Sequence, residues 1–232
     1  MADDTLFSAI QTLAVIALPT LLAITCHEAA HGIVAYWLGD DTAYRQGRVT
    51  LNPVRHIDPF GSILMPLMLY FAAQGSMLFG YAKPVPINAS RMRHPRRDMV
   101  LVALAGPGMN LLLATISAAL GFAEPWIPSL AHDWVGGALW WSLHFNLVIA
   151  LFNLLPVPPL DGSHLVVSVL PRSLAIRYSK LGRYGILVVL LVFFVLPQAG
   201  NLIGVSINPF AWLVLGPAEW LADGIVRIFG LS

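Results

Sequence analysis

Apolar runs recur along the chain at 6–38, 60–79, 99–122, 137–155, 184–205 and 209–229. Each is near the roughly 20 residues a helix needs to cross hydrocarbon. The stretches between them are too short for an appended soluble domain. The pattern predicts an all-α polytopic membrane protein of about five to six membrane segments. Residues 1–232 read as a single domain, with a core at 6–165 and accessory C-terminal membrane segments at 184–230. Two stretches depart from helical periodicity: 44–53 ("YRQGRVTLNP") and 80–88 ("GYAKPVPIN") have the turn-bounded look of short strands or extended loops. Pro84 and Pro86 would confine the second to a sheet edge, since proline cannot donate to a ladder. Pro19 should kink the first span about two turns before His27.

Composition strengthens the membrane reading: 57% of residues are hydrophobic and 11% charged, with a mean hydropathy of +0.74. A net charge of +1 gives no footprint for a nucleic-acid partner. The single cysteine, Cys26, excludes an intramolecular disulfide and a cysteine-cluster metal site, and reads as a packing residue. The start, "MADDTLFSAI", has two acids and no basic region, so the first apolar run reads as a retained span rather than a signal peptide.

Charge also gives a direction, because short loops rich in Lys and Arg stay cytoplasmic. Of the 13 basic residues all but Arg227 fall in three loops: Arg45, Arg48 and Arg55; Lys83, Arg91, Arg93, Arg96 and Arg97; Arg172, Arg177, Lys180 and Arg183. The stretch 123–136 holds Glu124 and Asp133 and no basic residue, so it should face outward. Residues 99–122 then run outward, 137–155 run back in, and the first span also runs inward. The run 60–79, with Pro66 and Gly75, has basic loops on both sides. Either it is re-entrant, entering and leaving on the cytoplasmic side, or the charge rule fails once here.

Inside the first span stands "HEAAH". His27 and His31 are four apart, share one helical face and can hold one metal through neutral imidazoles, with Glu28 beside them. Two helical histidines and a third protein ligand leave one tetrahedral position for water, the arrangement of zinc hydrolysis. Ionisable residues at this depth also need a compensating partner, which a divalent ion supplies. The third ligand should lie at the same depth. Asp161, in "FNLLPVPPLDGSH" at the cytoplasmic end of another inward-running span, meets that condition. The bland alternative is an ordinary interfacial turn at Asp161-Gly162. His144 has no partner at helical spacing and suits a packed polar group as well as a ligand. Asn146 and Asn110 could line the same cavity, though packing hydrogen bonds fit them better.

His27, Glu28 and His31 joined to "NLLPVPPLDG" at 153–162 resemble the paired signature of the site-2 protease family of intramembrane zinc metalloproteases. "LAGPGMNLLLA" at 104–114 and "GYAKPVP" are similar to segments of its compact bacterial and archaeal members. The resemblance covers most of the chain up to about Gly162. It implies one Zn2+ ion held by His27, His31 and Asp161, Glu28 as general base and acid, and Asn153 holding substrate or the developing oxyanion. It further implies a transmembrane protein substrate, a place in a prokaryotic cell (inner) membrane and a site towards the cytoplasm. No PDZ or CBS module is expected within the chain.

Two rival readings remain. One is a glutamate-zincin-type membrane protease with Glu219 of "EWLAD" as third ligand. The other is a metal-binding or transport protein without protease activity, which would need further intramembrane ligands forming a path.

Overall fold

In the computed structural model, which describes residues 2–72, 80–122 and 126–230, the chain is a sequence of helices joined by short loops. In order they are α1 (Ala2–Trp37), α2 (Thr42–Arg45), α3 (Met65–Ala72), α4 (Pro95–Gly121), α5 (Ser129–Asn153), α6 (Gly162–Val169), α7 (Arg172–Lys180), α8 (Gly185–Leu190), α9 (Leu196–Leu202) and α10 (Gly216–Ile228). The turn Pro59–Leu64 leads into α3, and α7 to α9 follow one another as a nearly continuous rod. Local signals explain several of the starts. Pro95 opens α4, where its missing N–H is no loss, and Asp98 in that first turn accepts a hydrogen bond from the His94 backbone N–H at 2.8 Å. Asp58 caps the turn before α3 by accepting from the Phe60 and Gly61 amides.

Helices α1, α4 and α5 pack together as the centre of the molecule. Where α4 and α5 meet α10, Ala114, Ala118, Ala218 and Ala222 surround Leu143 and Leu147. Small residues let helices approach closely when lipid, which is as apolar as leucine, supplies no hydrophobic drive between them. The outward faces are apolar too: Leu112, Leu120, Leu187 and Val195 are all exposed.

Among the described residues, four helices are long and apolar enough to cross a membrane: Gln11–Trp37, Pro95–Gly121, Ala131–Asn153 and Arg172–Leu202. This is fewer than the five to six segments the sequence suggests. The difference lies in two places. The C-terminal run 209–229 carries Glu219, Asp223 and Arg227 and is not among the four. The apolar helix Pro59–Phe71 is about 20 Å long at 1.5 Å per residue, short of the hydrocarbon thickness. Its continuation through Gly75 to Phe79, like Glu124 in the outward loop, lies outside the described residues.

The expected strands are absent among the described residues. Residues 44–53 contain the end of α2 followed by turns, and 80–88 form an irregular strip. The strip is held by side chains and loops rather than a neighbouring strand. Its Tyr81 N–H donates to the Gly61 carbonyl at 3.0 Å, its Lys83 N–H to the His56 carbonyl at 2.8 Å, and Asp40 accepts from the Asn88 N–H. Arg48 donates to the Lys83 carbonyl at 2.7 Å. The Ser62 hydroxyl also donates to the Tyr81 carbonyl, so the chain that leaves at Gly61 is back beside Gly61 at Tyr81. Helix α1 runs unbroken through Pro19.

Candidate metal centre

Near the end of α1, His27 and His31 point their Nε2 atoms at one spot, and Asp161, arriving from the turn after α5, brings a carboxylate to the same spot. His27 Nε2 lies 3.2 Å and His31 Nε2 3.3 Å from Asp161 Oδ2, and the two Nε2 atoms are 3.0 Å apart. Both histidines are buried. The prolines of "PVPP" turn the chain out of α5, and Gly162 permits its return. A Cβ there would strike the Leu154 carbonyl.

The outer partners fix which ring nitrogens face inward. His31 Nδ1 lies 2.7 Å from the Val102 carbonyl, which can only accept, so Nδ1 carries the proton. His27 Nδ1 lies 2.5 Å from Asn110 Oδ1. The Asn110 amide nitrogen donates to the Ala23 carbonyl and to Asn146 Oδ1, which leaves its oxygen for His27. Asn146 in turn donates to the Ser142 carbonyl at 2.8 Å. Neutral rings protonated at Nδ1 therefore turn bare Nε2 lone pairs toward a carboxylate oxygen.

Three observations fit this set to a divalent ion. The facing atoms are all acceptors, and Asp161 Oδ2 is buried without a hydrogen-bond donor. Their spacing suits a tetrahedral ion, whose bonds of about 2.0–2.1 Å set ligands about 3.3 Å apart. Gly106 of α4 supplies the open side: a Cβ there would come within 2.6 Å of His27 Nε2 and also collide with His31 Nε2. His27, His31 and Asp161 are the group of ligand atoms that converges among the described residues.

A cavity of about 270 Å³ adjoins this point, walled in part by Glu28, His31, Asp161 and His164. Glu28 Oε2 accepts a 2.8 Å hydrogen bond from the Val85 N–H of the 80–88 strip, which holds the carboxylate at the cavity edge. The other sequence candidates separate clearly. Asn153 donates to the Ile149 carbonyl of its own helix at 3.0 Å and does not wall the cavity. Glu219 is exposed on α10 and outside the converging group, so the glutamate-zincin arrangement is not what the chain builds. His144 stacks on Trp140, ring centroids 4.1 Å apart, and Cys26 is not a ligand. Asn110, read as a packing residue, orients His27 instead. Gly106 went unnoticed within "LAGPGMN", because a residue that matters by having no side chain leaves little mark in a single sequence.

Comparison with known proteins finds zinc metalloproteases. Peptidase family M50 matches residues 127–196, a stretch that includes Asp161. A Bacillus subtilis (strain 168) protein named "Putative zinc metalloprotease YwhC" is 37% identical over 210 residues, 89% of this chain and 91% of that protein. "Putative zinc metalloprotease Rip2" of Mycolicibacterium smegmatis is 36% identical over 143 residues, 61% of this chain and 52% of its own. "Putative zinc metalloprotease Rip3" of Mycobacterium tuberculosis is 33% identical over 125 residues, 54% of this chain and 27% of its own. No solved structure matches.

Proposed function

The chain belongs to peptidase family M50, the site-2 protease family, as an integral membrane zinc metalloprotease, and from that premise we propose that it hydrolyses peptide bonds of transmembrane proteins within or near the bilayer. The observation that carries this reading is the convergence of His27, His31 and Asp161 beside Glu28, on helices long and apolar enough to lie in a membrane. His27, His31 and Asp161 would hold the ion. Zinc, when bound there, supplies Lewis-acid polarisation of the scissile carbonyl and acidifies a water. Glu28, fixed by the Val85 amide, takes the proton from the attacking water and returns it to the leaving amine. Asn153 is assigned to holding substrate, which requires its amide to turn away from the Ile149 carbonyl.

A helical substrate hides its peptide bonds in its own hydrogen bonds and must unwind before attack. The irregular strip 80–88, whose Pro84, Val85 and Ile87 wall the cavity beside Glu28, receives the unwound segment. The return of the chain from Gly61 to Tyr81 supports a re-entrant excursion that keeps both flanking basic loops on one side. The charge pattern supports a site towards the cytoplasm, and membership of the family supports a prokaryotic inner membrane. We take 1–232 as a single catalytic domain, with core 6–165.

The test is cleavage of a single-span substrate in detergent or proteoliposomes by purified wild type and Glu28→Gln, with and without a chelator. Chelator-sensitive cleavage by the wild type alone is expected. Equal, chelator-insensitive cleavage by both proteins would sink the reading. Zinc bound by Glu28→Gln without cleavage also separates a protease from a carrier, which has no use for a base beside its ligands.

A further inference from the structure

A hydrogen-bond donor aimed at the carbonyl oxygen as it takes on charge adds to what a metal ion supplies, and removing one such donor costs about 10²- to 10³-fold in kcat. The wall of the 270 Å³ cavity narrows the choice. Its polar side chains are Glu28, His31, Asp161 and His164, and the rest of the wall is apolar. Glu28 is the proton carrier, and His31 and Asp161 belong to the metal set. That leaves His164. Its side chain is partly buried and makes no hydrogen bond to any other described residue. Asn153, the other amide donor at this end of α5, is engaged with Ile149 and stands off the wall.

The placement of His164 follows from α6. Asp161 caps that helix and His164 lies three residues on, so ligand carboxylate and imidazole fall on one face, one turn apart. The His164 backbone N–H donates to the Asp161 carbonyl at 2.9 Å, which ties the two positions together. An imidazole donates an N–H in either protonation state.

We propose that His164 is a further catalytic residue, donating a hydrogen bond to the oxygen of the scissile carbonyl. The proposal rests on the protease reading above. In the step, the water oxygen bonds to the carbonyl carbon, and the carbonyl π electrons move to its oxygen. Glu28 takes the water proton, while His164 donates its hydrogen bond without giving up a proton. The oxygen's electron pair then re-forms the C=O bond as the C–N bond breaks, the C–N electrons stay on nitrogen, and the amine takes the proton from Glu28. Water and peptide yield one acid and one amine.

The experiment uses the zinc-loaded full chain in detergent with two probes: a library of single-span peptides read by mass spectrometry, and a phosphinic pseudopeptide whose tetrahedral P–O⁻ imitates the charged oxygen. The variants are His164→Phe and His164→Leu, which lack a donor, and His164→Gln, which keeps one. For the first two, kcat should fall about 10²- to 10³-fold with KM and zinc content unchanged, the loss typical of one oxyanion donor. Phosphinic affinity should fall in step, while His164→Gln recovers much of both. Wild-type kcat and phosphinic affinity in His164→Phe or His164→Leu, beside an inactive Glu28→Gln, overturn the assignment of His164 alone. Equal, chelator-insensitive activity in wild type and Glu28→Gln overturns the protease reading and this inference with it.

Discussion

Asn110 Oδ1 sits 2.5 Å from His27 Nδ1, on the opposite side of the imidazole from the metal position, and its amide nitrogen is spent on Ala23 and Asn146. The asparagine thus dictates which nitrogen of His27 faces inward. Removing it in Asn110→Leu should weaken zinc binding about 10- to 100-fold, the usual cost of losing a partner behind a metal ligand. Competition with a chromophoric chelator measures this. Unchanged affinity would mean that the His27 tautomer is set elsewhere.

Gly106→Ala should abolish zinc retention outright, because its methyl group would occupy the space between His27 and His31. Gly108→Ala is the control: no atom lies near a Cβ at that position, so zinc content should hold. Metal analysis of the two purified variants gives the answer directly.

The amide that holds Glu28 belongs to the backbone, so it can be removed only by proline. Val85→Pro should lower kcat about 10- to 100-fold, since a hydrogen bond to a charged group contributes about 1.5–3 kcal/mol. Val85→Ala trims the side chain but keeps the N–H, and should remain the more active of the two. Similar kcat in both variants would remove the amide from the mechanism.

Burial pushes the His164 imidazole below its ordinary pKa, with Asp161 opposing and His31 adding to the shift. A depressed histidine binds its proton more readily in the unfolded chain, so its contribution to stability falls as pH drops below about 6.5. The melting temperature of metal-free wild type, relative to His164→Gln, should therefore be lower at pH 5.5 than at pH 7.5. A difference independent of pH would count against a desolvated ring.

Zinc removal should leave the fold standing. His27 and His31 are anchored from behind by Asn110 and Val102, contacts that involve no metal. Chelated protein should keep its helical circular dichroism, lose cleavage, and regain it when zinc is restored. Loss of helicity on chelation would show the ion to be structural.

Much of this site was legible in the sequence because ionisable residues in an apolar run are conspicuous. His27 and His31 are set together by helical spacing alone, and loop charge gave Asp161 the same depth. What escaped were contributions without a distinctive side chain. The strip 80–88 looked strand-like because it is short and turn-bounded, yet it is tied by Arg48, Asp40 and loop carbonyls rather than by a partner strand. Gly106 acts by absence and Val85 through its amide. The expected five to six segments outnumber the four crossing-length helices among the described residues because α10 carries three charges and Pro59–Phe71 is short.

The polar chain from His27 through Asn110 and Asn146 to Ser142 threads α1, α4 and α5 in turn. Each link needs its neighbour at one height, so none of these helices can slide by a residue without breaking the line. The trio therefore acts as a rivet in the bundle. The 80–88 strip and α6, which supply the other flank of the cavity wall, are reached by no link of this polar chain.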